Sequence, residues 1–192
     1  GRPRMMRGET FEFGSADVRC RGRVQGDGRP IVYLPPQQFR HLETRFEAGL
    51  AALGRLSIPD YPGFDGVAPP SGFRAVGDLA YLYLDWLESF ETAPVVIGTS
   101  LGAWIALEMA VRNPSVLSAL VLIGPTGVKF QGPAEREYTD IFALPDDEAA
   151  AALFVDAPDL PAFSDDELTG FARDRQYTCL LYTSDAADDI PG

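Results

Sequence analysis

The stretch from Pro94 to Ala110, PVVIGTSLGAWIALEMA, constrains the fold more than any other part of the chain. Val95, Val96 and Ile97 form a short apolar run suited to a strand buried on both faces. The run breaks at Gly98-Thr99-Ser100-Leu101-Gly102, and a helical pattern begins almost at once. Gly-x-Ser-x-Gly between a strand and a helix is a nucleophile elbow, and its spacing has a mechanical reason. The central serine sits in a strained turn that pushes its hydroxyl out of the sheet. The flanking glycines let strand and helix approach without a Cβ clash. A helix starting just behind Ser100 offers free N–H groups and a positive dipole end to a developing anion. A Gly-rich turn that merely packs well is the plainer alternative, but it leaves the serine at the centre unexplained.

Two other stretches support the same picture. Pro59-Asp60-Tyr61-Pro62-Gly63-Phe64-Asp65-Gly66 is a Pro/Gly-rich loop after a short apolar run, and Leu120-Val121-Leu122-Ile123-Gly124-Pro125 is a buried strand with its turn. With the elbow, they resemble in order and spacing the α/β-hydrolase fold family, in its single-domain esterase and carbon–carbon-bond hydrolase branch. The resemblance spans about Thr10 to Arg175. It implies a three-layer α/β fold, Ser100 as the nucleophile, and backbone N–H groups of Leu101 and Gln37 as the oxyanion hole. Gly98, Thr99 and Gly102 complete the elbow. The substrate class it implies is a small-molecule ester or a diketone-like compound.

Along the chain, Thr10 to Phe13 and Asp17 to Gln25 read as opening antiparallel strands. In the second, Val18, Cys20, Gly22 and Val24 alternate with Arg19, Arg21 and Arg23, so one face is wet. The arginines could form a basic patch. On an edge strand of an acidic chain they read rather as a solvated face that opposes aggregation. Ile31 to Leu34 is a short buried strand ending at Pro35-Pro36-Gln37-Gln38. The family usually has His-Gly where the two prolines stand. Proline has no N–H to give, so Gln37 is the first possible oxyanion donor on this loop.

Leu42 to Leu53 reads as a helix, Leu56 to Ile58 as a strand, and Phe73 to Phe90 as a helix with an aromatic core stripe (Val76, Leu79, Tyr83, Trp86, Phe90). Asn113-Pro114 stops the elbow helix, and Leu117 to Ile123 follows as a strand. From Lys129 the chain turns polar, with short amphipathic segments at Tyr138 to Leu144, Asp147 to Phe154 and Asp165 to Arg175. This resembles the start of the helical cap that the family inserts after its sixth strand. The expected division is residues 1–128 for the core, 129–178 for the cap and 179–192 for a non-native tail. From Cys179 to Asp189 the string resembles the translated reading frame of a common sequencing adapter.

The rest of a catalytic triad is not legible. The family order is Ser, then Asp or Glu, then His. The chain has one histidine, His41, and it precedes Ser100. It reads as a surface or capping residue, with a triad base and a substrate-pocket role as the alternatives. Asp146, Asp147, Asp165 and Asp166 fall where the cap should be, and Asp147 and Asp165 look like helix caps. The sequence therefore reads as a fragment of an incomplete α/β-hydrolase fold, with about six sheet strands and the last strands missing. Its own 192 residues should be inactive, and apolar sheet surface should stand exposed.

A net charge of −12 argues against nucleic acid or an anionic membrane surface as partners. No apolar segment is long enough to span a bilayer, and no signal peptide follows the basic start, where translation would begin at Met5 or Met6. Two cysteines suggest neither a disulfide framework nor a zinc site, and a cytoplasmic location is expected. No metal or organic cofactor is indicated. Beside the serine hydrolase stand a cofactor-free haloperoxidase or acyltransferase using the same elbow, and a non-catalytic small-molecule receptor of the same fold.

Overall fold

The computed structural model describes residues 9–14, 17–37, 45–128 and 164–188, with a few isolated positions between 144 and 155. Six strands form one sheet: β1 (Glu9–Gly14), β2 (Arg19–Gln25), β3 (Pro30–Leu34), β4 (Arg55–Pro59), β5 (Val95–Thr99) and β6 (Ala119–Ile123). The helices are α1 (Arg45–Leu53), α2 (Val76–Leu87), α3 (Leu101–Arg112) and α4 (Asp165–Asp188), with a 3-10 turn at Pro114–Val116. The strand order is β1-β2-β4-β3-β5-β6. β1 and β2 pair antiparallel, as does β2 with β4, while β4, β3, β5 and β6 run parallel.

Side-chain alternation divides the core into two layers, one on each face of the sheet. On one face Val32, Leu34 and Val96 meet α2, α3 and α4 through Val76, Leu79, Tyr83, Ile105, Met109 and Leu181. On the other, Ile31, Tyr33, Leu56, Ile58 and Ile97 pack against Leu50 of α1. Helices thus cover both faces, giving the three layers expected. On β6, Leu120 and Leu122 face the larger layer. Val121 and Ile123 alternate with them and stand 43% and 40% exposed, so apolar sheet surface is open on the α1 side.

Several expectations shift by a few residues, each for a local reason. The helix read over Phe73 to Phe90 is confined to Val76–Leu87. At its start Asp78 accepts the N–H groups of Arg74 and Ala75 at 2.8 and 2.9 Å, fixing the first turn. The cap of α4 is Ser164, not Asp165: Ser164 donates its N–H to Glu167 at 2.7 Å, and its Oγ accepts the N–H of Glu167. That hydrogen bonding holds the Glu167 carboxyl below its ordinary range.

β2 is not an edge strand, because β1 covers one side and β4 the other. Of its arginines, Arg21 stays on the wet face and pairs with Glu12 at 3.3 Å. Arg23 instead turns into the protein, where its guanidinium meets both oxygens of buried Glu47 on α1 at 3.1 and 3.3 Å. The solvated-face reading therefore fails for Arg23.

Of the expected cap, Tyr138 to Leu144 and Asp147 to Phe154 lie largely outside the described residues. The third segment is longer than expected, since α4 runs without a break from Asp165 through Cys179 to Asp188. Leu181 is fully buried, and Tyr182 meets the ring of Trp104 edge-on with centroids 4.9 Å apart.

Candidate active site

Chain order and strand order together locate a crevice. The chain steps from β3 outward to β4, then returns to place β5 on the other side of β3. That reversal is a topological switch point, and the loops at the carboxyl ends of β3 and β5 diverge there to leave a crevice. β3 ends at Leu34 and leads into Pro35, Pro36 and Gln37, while β5 ends at Thr99 and leads into Ser100. The topology therefore brings Gln37 and Ser100 together across the switch point.

Ser100 has φ 55° and ψ −116°, one of two described non-glycine residues with positive φ. Such a conformation costs about 1–3 kcal/mol and persists only where the surroundings hold it. Here they do. The Ser100 N–H donates to the Ile123 carbonyl at 3.0 Å, and its carbonyl accepts from Ala103 and Trp104 at 3.1 Å and from Thr126 at 3.4 Å. The flanking glycines are required by contact. A Cβ on Gly102 would strike the Leu34 carbonyl, and one on Gly98 would strike the backbone of Gly102 and Ala103.

The Ser100 hydroxyl donates to Gln37 Oε1 at 3.1 Å. Leu101 is the first residue of α3, so its N–H has no acceptor within the helix and lies beside Ser100 at the positive end of the dipole. Gln37 follows two prolines that carry no N–H. Thr99, in the elbow, accepts a hydrogen bond from the Tyr33 hydroxyl at 3.3 Å. Burial raises the Tyr33 phenol above its ordinary value.

The structure also brings in residues that sequence reasoning passed over. Tyr61, from the loop after β4, is 2% exposed and donates its hydroxyl to the Pro35 carbonyl at 2.6 Å. Thr126 follows β6, and its buried Oγ1 has no hydrogen-bond partner among the described residues. A tyrosine in a Pro/Gly-rich loop gives no sequence signal of such a role, because its partner is a backbone carbonyl far away in the chain.

His41, Asp146 and Asp147 lie outside the described residues, while Asp165 and Asp166 lie in the exposed first turn of α4. No group of three or more His, Cys, Asp or Glu suited to a metal occurs among the described residues. An open cleft of about 580 Å³ lies elsewhere, between β1 and α2, lined by Glu12, Phe13, Phe73, Asp78, Tyr81 and Asp85 among others. Ser100, Gln37 and Leu101 do not line it.

A parallel sheet of this order, flanked by antiparallel opening strands and bearing a strained Gly-x-Ser-x-Gly turn at its switch point, defines the α/β-hydrolase class. The chain belongs to the alpha/beta hydrolase family, whose model matches residues 30–191. Among solved structures, a probable hydrolytic enzyme from Pseudomonas aeruginosa PAO1 is 25% identical with a TM-score of 0.50, the match covering 63% of this chain and 42% of that one. The N-formylmaleamic acid deformylase of Pseudomonas putida S16 is 21% identical with a TM-score of 0.54, covering 68% and 51%. A serine hydrolase involved in carbazole degradation is 18% identical with a TM-score of 0.59, covering 88% and 69%. The last two likenesses establish the fold alone. The chain spans about half the length of the first two of these proteins. No curated protein matches the chain by sequence. No helix among the described residues is long and apolar enough to cross a membrane.

Proposed function

We propose that this chain carries the nucleophile half of a serine hydrolase acting on an ester or similar acyl-type bond. The observation that carries this reading is Ser100 itself, held at φ 55° between two glycines and directly ahead of the α3 N-terminus. In the proposed reaction Ser100 Oγ bonds to the acyl carbon and passes its proton to a base. The carbonyl oxygen becomes an oxyanion, which the N–H groups of Leu101 and Gln37 stabilise. Collapse expels the alcohol with a proton, and water then releases the acid from Ser100. By the family's chain order the base is a histidine, oriented by an acid, further along a longer parent protein.

The substrate is a small ester or diketone-like molecule, and the acidic chain binds neither nucleic acid nor anionic membrane surface. A cytoplasmic location belongs to the same proposal. Residues 129–178 would be the start of the cap and 179–192 a non-native extension. The receptor alternative draws on the Gln37 contact, which leaves Ser100 on a neutral amide.

The test is to recover the longer gene product and measure p-nitrophenyl ester turnover and labelling by a fluorophosphonate probe. Both are expected, and Ser100→Ala should abolish both. A longer product with no downstream Asp and His, which binds a small molecule but never labels, would establish the receptor reading instead.

A further inference from the structure

The loop that carries Gln37 has an unusual anchoring problem. Pro35 and Pro36 in succession offer no N–H, so neither can donate a backbone hydrogen bond to the surrounding framework. The carbonyls of the two prolines remain available as anchors. The Pro35 carbonyl accepts the Tyr61 hydroxyl at 2.6 Å. Tyr61 is itself closely packed: it is 2% exposed and its ring meets those of Phe64 and Tyr83 edge-on, with centroids 5.7 and 6.1 Å away. Tyr83 in turn donates its hydroxyl to the Asp60 carbonyl at 2.8 Å, tying the backbone beside Tyr61 to α2.

We propose that Tyr61 is a positioning residue for the site: its buried hydroxyl fixes the Pro35-Pro36 turn so that the Gln37 side chain reaches Ser100 Oγ. This rests on the reading of Ser100 as the nucleophile. A side-chain amide presents an acceptor on one side and donors on the other. Gln37 accepts from the neutral hydroxyl at rest, and with the amide turned over it donates to an anion at the same place. The Tyr61 hydroxyl meets the site through the Pro35 carbonyl, so it acts on Gln37 through the loop.

The test needs no hydrolysis. In a Cys179→Ser background, Ser100→Cys places a thiol at the nucleophile position, and iodoacetamide alkylation against pH, read by peptide mass spectrometry, reports where the thiolate forms. Cys20 stays silent, because it is buried and its thiol is pushed up to about 11, mainly by burial. A donor to the anion lowers the thiol pKa, so removing it raises the pKa. Gln37→Ala should therefore slow alkylation near pH 7 by roughly three- to tenfold and shift the profile upward. Tyr61→Phe keeps the ring and should shift the profile the same way, by roughly two- to fivefold, while having no effect once Gln37 is alanine.

A profile unmoved by Gln37→Ala, or by Tyr61→Phe with Gln37 present, overturns the proposal. So does a Tyr61→Phe effect that survives intact in the Gln37→Ala chain. Should Tyr61→Phe fail to fold, 3-fluorotyrosine at position 61 keeps the hydroxyl and makes it a stronger donor. The Gln37 side-chain amide resonances must then move, and unmoved resonances overturn the proposal as well. A Ser100 that never attacks an ester would leave these readouts intact, so failure of the hydrolase reading is seen separately.

Discussion

Ser100 Oγ donates to Gln37 Oε1 across 3.1 Å, so the hydroxyl at the centre of the elbow rests on a neutral amide rather than on a ring nitrogen or a carboxylate. An amide oxygen does not take up a proton at neutral pH, and a serine without a base is a weak nucleophile. These 192 residues are therefore expected to give no measurable p-nitrophenyl ester turnover and little fluorophosphonate labelling. Template systems that lose a triad member retain only about 10³- to 10⁴-fold over water. Intact-mass analysis after probe incubation checks this. Stoichiometric adduct at Ser100 would mean that a base acts on it in this chain, and His41 would be the first residue to replace.

The elbow was legible in the sequence because its requirements are local. Strand, turn and helix follow one another within Val95 to Arg112, and each glycine is demanded by backbone a few residues away or at a neighbouring strand end. The parallel core strands were legible for the same reason, as short apolar runs bounded by turns. Arg23 was not, because its partner Glu47 lies on a helix packed against a different strand, and a period of two cannot say which polar residue finds an ion partner. The length of α4 was missed for a related reason. Tyr177 and Leu181 are buried on one stripe while Leu168, Phe171 and Leu180 stand exposed on others, so the apolar residues mark no single face, and the helix runs through Cys179. Tyr61 marks the limit: its role depends on a carbonyl 26 residues away.

The Arg23–Glu47 pair should behave as a buried ion pair. The side chains are 18% and 3% exposed, so removing the guanidinium leaves a carboxylate largely out of water. Arg23→Met is expected to cost about 3–5 kcal/mol, and the double change Arg23→Met with Glu47→Leu to recover most of that loss. Urea midpoints for the two singles and the double measure this directly. A single replacement that costs under about 1 kcal/mol would place the pair among solvated surface contacts.

Alkaline pH should unfold the chain earlier than ordinary titration would suggest. Burial, with a smaller contribution from Asp60, pushes the Cys20 thiol from 9.0 to about 11. Burial, with Asp78 adding to it, pushes the Tyr177 phenol from 10.0 to about 12. Both hold their protons more tightly folded than unfolded, so the unfolded chain releases them first. Their stabilising effect is complete below pH 9.0 and disappears as pH climbs towards 11 and 12. Each contributes on the order of 2 kcal/mol across its window. Melting temperature against pH should fall from about pH 9 upward, and Cys20→Ala should remove the earlier part of the decline. An unchanged curve in that variant would show that the thiol is not held neutral by the fold.

Thr126 offers a change in the opposite direction. Its Oγ1 is buried without a partner among the described residues, whereas its N–H is used on the Ser100 carbonyl. Valine has nearly the same shape and leaves the backbone bond in place. An unsatisfied buried hydroxyl costs about 1–3 kcal/mol, so Thr126→Val is expected to be neutral or to stabilise by about 1 kcal/mol. A clear loss of stability on thermal melting would mean that the hydroxyl has a partner that valine cannot replace.

Leu181 tests how the last helix is held. It is fully buried against the larger core layer, four positions after Tyr177, whose hydroxyl donates to the Phe73 carbonyl at 3.4 Å. Asp174, one turn earlier still, accepts the N–H of Asp65 at 2.9 Å and so clamps the loop after β4. α4 therefore binds the core by two polar contacts, at Asp174 and at the Tyr177 hydroxyl, and by the buried side chains of Tyr177 and Leu181. Truncating a buried leucine removes its transfer free energy and leaves a cavity, typically about 2–5 kcal/mol together. Leu181→Ala should lower the urea midpoint accordingly, and deleting residues 179–192 should lower it at least as far. If neither change moves the midpoint, residues beyond Thr178 do not contribute to the fold in solution, and the core closes over Trp104 without them.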